Sequence, residues 1–225
     1  MEKGSFIKIS YTGRVKDGKV FDTTNEEIAK KENIYDEKRV YHPLPIVVGE
    51  KQVIEGLEEA ITGMKINESK RVEIPPEKAY GKRDPNLVRL VPMRIFKKQG
   101  INPVPGIPIT LDGKLARIQT VAGGRVMVDF NHELAGKTLI FDIKIVDEAK
   151  TIEDKVKFLI ERSFNNSENF EIKISEKSLE VTIPEIAYKD RNILPRKMSL
   201  STDIFRYLDT ENLVFREVWS RKGKD

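Results

Sequence analysis

Cysteine is missing from this chain, and histidine occurs only at His42 and His132. Without thiols there is no disulfide, no thiolate metal site and no cysteine nucleophile. Two histidines supply triads and zinc sites poorly. No apolar run approaches the roughly 20 residues that a membrane helix needs, so no span is expected. The first residues, MEKGSFIKIS, lack the apolar core of a secretory signal. A glycine-rich phosphate loop is also missing, since the pair in VAGGRV reads as a hairpin turn. Carboxylates abound, but none stands out as a paired acid and base. If the chain is an enzyme, it is expected to need no nucleophile, no metal and no cofactor, and to work as a soluble cytoplasmic protein.

The net charge of +4 is unevenly placed. Residues 151–225 hold 14 basic and 14 acidic side chains, so the excess lies in residues 1–150. Segment 86–130 carries seven basic residues against Asp112 and Asp129. Such a patch can attract RNA or an acidic client. No aromatic platform or RNA-binding signature accompanies it, so nucleic acid is not the expected partner and a solvated basic face is the simpler reading.

The pattern along the chain predicts an α+β protein. FIKISYTGRV, KDG and KVFDTT read as strand, turn and strand. NEEIAKKENIYDEKRVYHP is a polar, partly helical excursion before the strand LPIVVG. In QVIEGLEEAITGM, residues Val53, Ile54, Leu57, Ala60, Ile61 and Met64 form one apolar helical face, which Gly63 ends. KINESKRVEIPP adds a strand that two prolines terminate. Together these make a half-closed antiparallel sheet covered by one short helix. EKAYGKRDPN then breaks the pattern, and residues 86–130 form a separate group of short strands punctuated by Pro and Gly. The strand TLIFDIKIVDEA resumes the earlier alternation, which marks 86–130 as an insertion. Beyond Lys150, a helix, two strands, a second helix and the strand NLVFREVWS describe a small α+β domain.

The ordered set YTGRVKDGKVFDTT (11–24), VVGEKQVIEGLEEAITGM (47–64), AYG (79–81) and LIFDIKI (139–145) resembles the FK506-binding-protein family of peptidyl-prolyl isomerases. The insertion followed by NHELAGKTLIFDI is similar to the SlyD-like, long archaeal branch, in which a small insert-in-flap chaperone domain interrupts the isomerase. The resemblance covers about residues 1–147. It implies an isomerase domain from 1–85 plus 131–148 and an inserted chaperone domain at 86–130. The remainder lies outside the common pattern, though some long archaeal forms carry an extra C-terminal domain, and its own element order makes 149–225 the C-terminal α+β domain. The implied architecture is a half-barrel antiparallel sheet wrapped on a short helix.

Carried over residue by residue, the resemblance makes Tyr11, Phe21 and Phe141 aromatic walls and Leu57 the floor under a proline ring. Val53 and Ile54 then open the helix where backbone groups bind peptide. Tyr80 would offer its hydroxyl to a substrate carbonyl, and Asp22 would accept from Tyr11 and orient the rim. Leu57 and Phe141 would be core residues in any such sheet; Tyr80 and Asp22 are better indicators of a site. Many relatives have Trp where this chain has Leu57, which bears on drug binding more than on proline binding. His132 is expected to pin the loop by which the chain returns from the insert.

In the insert, Leu87, Val88, Leu90, Val91, Met93, Ile95 and Phe96, with Val104, suit a loose groove for unfolded chains. The same residues could simply fill a core of about 45 residues. The tail holds Phe158, Leu159, Phe164, Phe170, Ile204, Phe205, Tyr207, Leu208, Phe215 and Trp219, enough to fold and to leave a face in 149–225 whose expected use is a homodimer first and a second client site next. The expected partners are unfolded or partly folded proline-containing polypeptides. The leading reading is a prolyl isomerase with folding-helper activity. A binding-only holdase with a vestigial pocket is the alternative, and an RNA- or ribosome-associated module using the basic insert is a weaker third.

Overall fold

The computed structural model describes residues 1–219. The sequence-expected strand NLVFREVWS ends on Ser220, which lies outside the described residues. In chain order the first elements are β1 (Phe6–Val15), β2 (Val20–Thr23), α1 (Glu26–Lys31), β3 (Leu44–Val47), α2 (Glu55–Ile61) and β4 (Ser69–Ile74). Next come β5 (Val88–Pro92), α3 (Met93–Lys98), β6 (Pro108–Leu111), β7 (Lys114–Ala122) and β8 (Arg125–Asp129). The remainder is β9 (Leu139–Ala149), α4 (Ile152–Phe164), β10 (Glu171–Ile174), β11 (Ser178–Ile183), α5 (Glu185–Tyr188), α6 (Ile193–Tyr207) and β12 (Asn212–Glu217). The protein is a mixed α+β structure with three sheets and no closed barrel among the described residues. No described helix is long and apolar enough to cross a membrane.

The first sheet has the order β2-β1-β9-β4, and β3 shares the β2 edge of β1. The first half of β1 pairs with β3 (Phe6 opposite Val47) and its second half with β2 (Thr12 opposite Thr23). β9 lies antiparallel along the whole of β1 and is buried at alternate positions: Leu139, Phe141, Ile143 and Ile145. That is the period of a half-buried strand. Leu57, Ala60, Ile61 and Met64 of α2 and its exit pack on this face with Ile7, Ile9 and Ile74. Helix and sheet approach closely because Gly56 faces Ile74, where an added Cβ would lie 2.4 Å from the Ile74 side chain.

The second sheet, β5-β8-β7-β6, encloses its own small core of Phe96, Leu111, Ala116, Ile118, Val126 and Val128. Here the sequence reading needs correction, because residues 86–130 are not strands alone. MRIFKK forms α3, whose Phe96 is 0% exposed. A buried Phe96 cannot face a client, so it leaves the set of candidate binding residues.

The third sheet, β10-β11-β12, joins β11 and β12 in parallel through α5 and α6. α5 is an extra short helix that the sequence pattern did not show. α4 begins with a capping box, in which Thr151 accepts from the Asp154 N–H while the Asp154 side chain accepts from the Thr151 N–H. The core under this sheet also takes in Phe6 and Val47 of the first sheet. Phe6 meets Phe158 and Tyr207 edge-on at centroid distances of 5.3 and 5.6 Å.

Candidate functional site

One cleft of about 330 Å³ is lined by Tyr11, Phe21, Asp22, Leu44, Gln52, Val53, Ile54, Leu57, Tyr80 and Phe141. The eight residues singled out as isomerase-site candidates from the sequence therefore meet in one place, although they come from β1, β2, β9, α2 and two loops. Pairing explains the convergence. On β1, Gly13 faces Asp22 of β2 on one side and Phe141 of β9 on the other. Phe141 stands edge-on to Phe21 at 5.7 Å and tilted against Tyr11 at 6.0 Å. Leu57, in the first turn of α2, is 3% exposed and closes the cleft from below.

The polar rim is ordered. The Tyr11 hydroxyl donates to Asp22 Oδ2 at 2.6 Å, and Arg39 donates to Asp22 Oδ1 at 2.6 Å. Burial and the hydrogen bond to Asp22 push the Tyr11 hydroxyl above its ordinary range, so it stays a donor. Tyr80 is 38% exposed, and its hydroxyl has no hydrogen-bond partner among the described residues. Burial, with the Asp22 charge behind it, raises its pKa as well. At the mouth of α2, the Ile54 carbonyl accepts from Leu57 and Glu58, whereas the Ile54 N–H has no partner among the described residues. Of the two Ile54 backbone groups, the N–H is the one without a partner among the described residues. No cluster of three His, Cys, Asp or Glu that could hold a metal occurs among the described residues.

Four residues that sequence reasoning missed belong to this site. Leu44 and Gln52 complete the lining. Gln52 also accepts from the Val47 N–H and donates to the Tyr207 hydroxyl, which ties the rim to α6. Arg39 sits in a loop that reads as mere polar surface, yet it holds Asp22 and lies over the Tyr41 ring, itself stacked on Tyr35. Gly13 is the fourth. A Cβ there would lie 2.7 Å from Phe141 Cε1 and 2.8 Å from Phe21 Cζ, so only glycine lets the two rings close over β1. A glycine inside a strand was the signal available for it.

The re-entry loop adjoins the cleft. His132 stacks on Tyr80 with centroids 4.1 Å apart and planes 1° from parallel. Beyond it lies a second, wider cleft of about 660 Å³ between β7 and residues 130–137, which includes Arg83, Leu115, Arg117, Asp129 and His132. Of the remaining insert candidates, Leu90 is 57% exposed and Leu87 and Val88 are half-buried. Val91, Met93 and Ile95 lean on the insert's own core.

Comparison with known proteins completes the picture. A family model described as FKBP26, IF domain matches residues 89–134, and one described as FKBP26 C-terminal matches residues 152–220. A short-type peptidyl-prolyl cis-trans isomerase of Methanocaldococcus jannaschii is 46% identical over 147 residues, which are 65% of this chain and 93% of the relative. The FKBP-type peptidyl-prolyl cis-trans isomerase SlyD of Helicobacter pylori is 33% identical over 129 residues, 55% of this chain and 69% of that protein. SlyD of Pasteurella multocida is 33% identical over 149 residues, 64% and 67% of the two chains. This chain belongs to the FKBP-type peptidyl-prolyl cis-trans isomerases.

Proposed function

We infer that the chain accelerates cis-trans isomerisation of Xaa-Pro bonds in folding polypeptides, and that the cleft between β1, β2, β9 and α2 is where this happens. The observation carrying the site assignment is the convergence of three aromatic walls, an apolar floor and unpartnered donors in one proline-sized cleft. Rotation about the bond before proline must pass a barrier of ~18–20 kcal/mol, set by amide resonance. The planar amide is the more polar and better hydrated form; the twisted amide has lost its C–N double-bond character. A cleft that seats the proline ring on Leu57 between Phe21 and Phe141 hydrates the planar form poorly and so favours the twisted one. The Tyr80 hydroxyl and the Ile54 N–H hold the flanking carbonyls while the bond turns. No proton is transferred and no covalent intermediate forms.

In this reading residues 1–85 and 131–148 form the isomerase unit, a half-barrel wrapped on α2. Residues 86–130 are the client-holding insert, presenting Leu87, Val88 and Leu90. Support for the insert's role comes from its accessible Leu90, Val104 and Leu115. Residues 149–225 would pair two copies of the chain, for which the exposed Leu194, Met198 and Phe205 along α6 speak. Proline-limited refolding of a client protein, followed with wild type and with Tyr80→Ala and Phe141→Ala, tests the assignment. Both variants should lose acceleration while folded; a folded variant with the full rate would remove the cleft from the mechanism.

A further inference from the structure

We propose that His132 is a positioning residue for the isomerase, which holds the Tyr80 ring at the cleft and makes Tyr80 answer to the stem of the insert. The proposal rests on the reading of the cleft given above. Tyr80 needs such a support. Its hydroxyl is unpartnered among the described residues, the residue is more than a third exposed, and it stands in a short loop after the turn Pro76–Lys78. Parallel stacking on His132 at 4.1 Å is its one described ring contact.

His132 itself is fixed from its own loop. Its Nδ1 accepts from the Leu134 N–H at 3.1 Å. A backbone N–H can only donate, so Nδ1 is the accepting nitrogen and the ring is held by that bond. The loop is anchored below by Leu134, which is buried in the first core, and beside Tyr80 by Gly136 N–H donating to the Gly81 carbonyl at 2.8 Å. On its other side, Asn131 ties together the two chain segments that lead into and out of the insert. Its side chain accepts from the Asp84 N–H and donates to the Asp84 carbonyl and to Asp129. Arg83 and Gln119 also donate to Asp129. Thus the residue adjoining the stem's hydrogen-bond knot is the one on which the cleft tyrosine lies.

The consequence is kinetic. An unsupported tyrosine must be immobilised each time substrate binds, whereas a stacked one is already in place. Aromatic stacking of this kind corresponds to a loss of roughly three- to tenfold in kcat/KM when the platform is removed.

The test separates the ring from the turn. His132→Asn keeps an acceptor for the N–H two residues on but has no ring. His132→Phe keeps a ring but has no acceptor. With a short Xaa-Pro peptide and variants checked as folded, His132→Asn should lower kcat/KM about three- to tenfold, and His132→Phe should keep the wild-type value even if it is less stable. In a Tyr80→Ala background, His132→Asn should have no further effect. The upfield ring-current shift of the Tyr80 ring protons should survive in His132→Phe and vanish in His132→Asn. Wild-type kcat/KM in His132→Asn, equal losses in both variants, or additive losses in the double variant would each overturn the proposal. Wild-type activity in Tyr80→Ala alone would overturn the cleft reading with it, and so is distinguishable from a failure of His132 alone.

Discussion

Placing a methyl group at Gly13 tests the aromatic enclosure without deleting any side chain that lines it. In Gly13→Ala the new Cβ would sit 2.7 Å from Phe141 Cε1 and 2.8 Å from Phe21 Cζ, against 3.4 Å or more for ordinary contact. The rings must therefore retreat by roughly 0.7 Å, and Phe141 is not free to do so, because it is 4% exposed and wedged between Tyr11 and Phe21. Overpacking of this kind costs about 1–3 kcal/mol. Loss of glycine's freedom in the unfolded chain returns about 0.4–1 kcal/mol. The net expectation is a destabilisation of about 1–2 kcal/mol, small enough to leave the chain folded. Activity should suffer more, since misplacing a binding surface by about 1 Å can cost on the order of a hundredfold. We expect kcat/KM on an Xaa-Pro peptide to fall by at least about tenfold, with urea unfolding measured on the same preparation. Unchanged kcat/KM with unchanged or raised stability would show that the rings do not close over β1 as described.

Replacing residues 89–128 by a tight turn between the cross-strand partners Val88 and Asp129 should spare isomerisation of short peptides and reduce acceleration on a refolding protein; equal losses would deny the insert a client-holding role. Ending the chain at Lys150 should keep an active but weaker protein, because Phe6 and Val47 would lose their cover. Exposing a phenylalanine of this kind costs about 1.5–3 kcal/mol, and light scattering should find the shortened chain monomeric and the full chain dimeric. A monomeric full chain would leave residues 149–225 with the covering role alone. Asp142, bonded to Arg71 and Arg14, has its carboxyl held below the ordinary aspartate range, chiefly by the Arg71 hydrogen bond. Its contribution is present above the unfolded aspartate's pKa of about 3.9 and disappears as pH falls through the depressed folded value. Asp142→Asn should lower stability at neutral pH and flatten the acid limb of an unfolding series; an unaltered limb would mean that the ion pair contributes nothing.

Much of this was legible because periodicity and punctuation were clean. The alternation in LIFDIKI places Phe141 inward, and the spacing from Ile54 to Leu57 puts both at the start of α2. α3 was hidden because MRIFKK is short and lies among prolines and glycines, so six helical residues leave no periodic trace and Phe96 passes for a surface residue. Arg39 and Gln52 were illegible for a different reason. Their roles depend on which distant group the fold brings to them, Asp22 for one and Tyr207 for the other, and neither partner is marked by spacing. The docking of α4 and α6 on Phe6 had no sequence signature beyond a hydrophobic residue near the end of a strand.

The most direct test of the central claim is two-dimensional exchange NMR of a short Xaa-Pro peptide in the presence of substoichiometric protein, read together with the protein's own shift changes. The account predicts accelerated cis-trans exchange, with perturbations centred on Tyr11, Phe21, Ile54, Leu57, Tyr80 and Phe141. Perturbations confined to the insert, with peptide exchange at the uncatalysed rate, would contradict it and leave a chain that holds clients without turning their prolines.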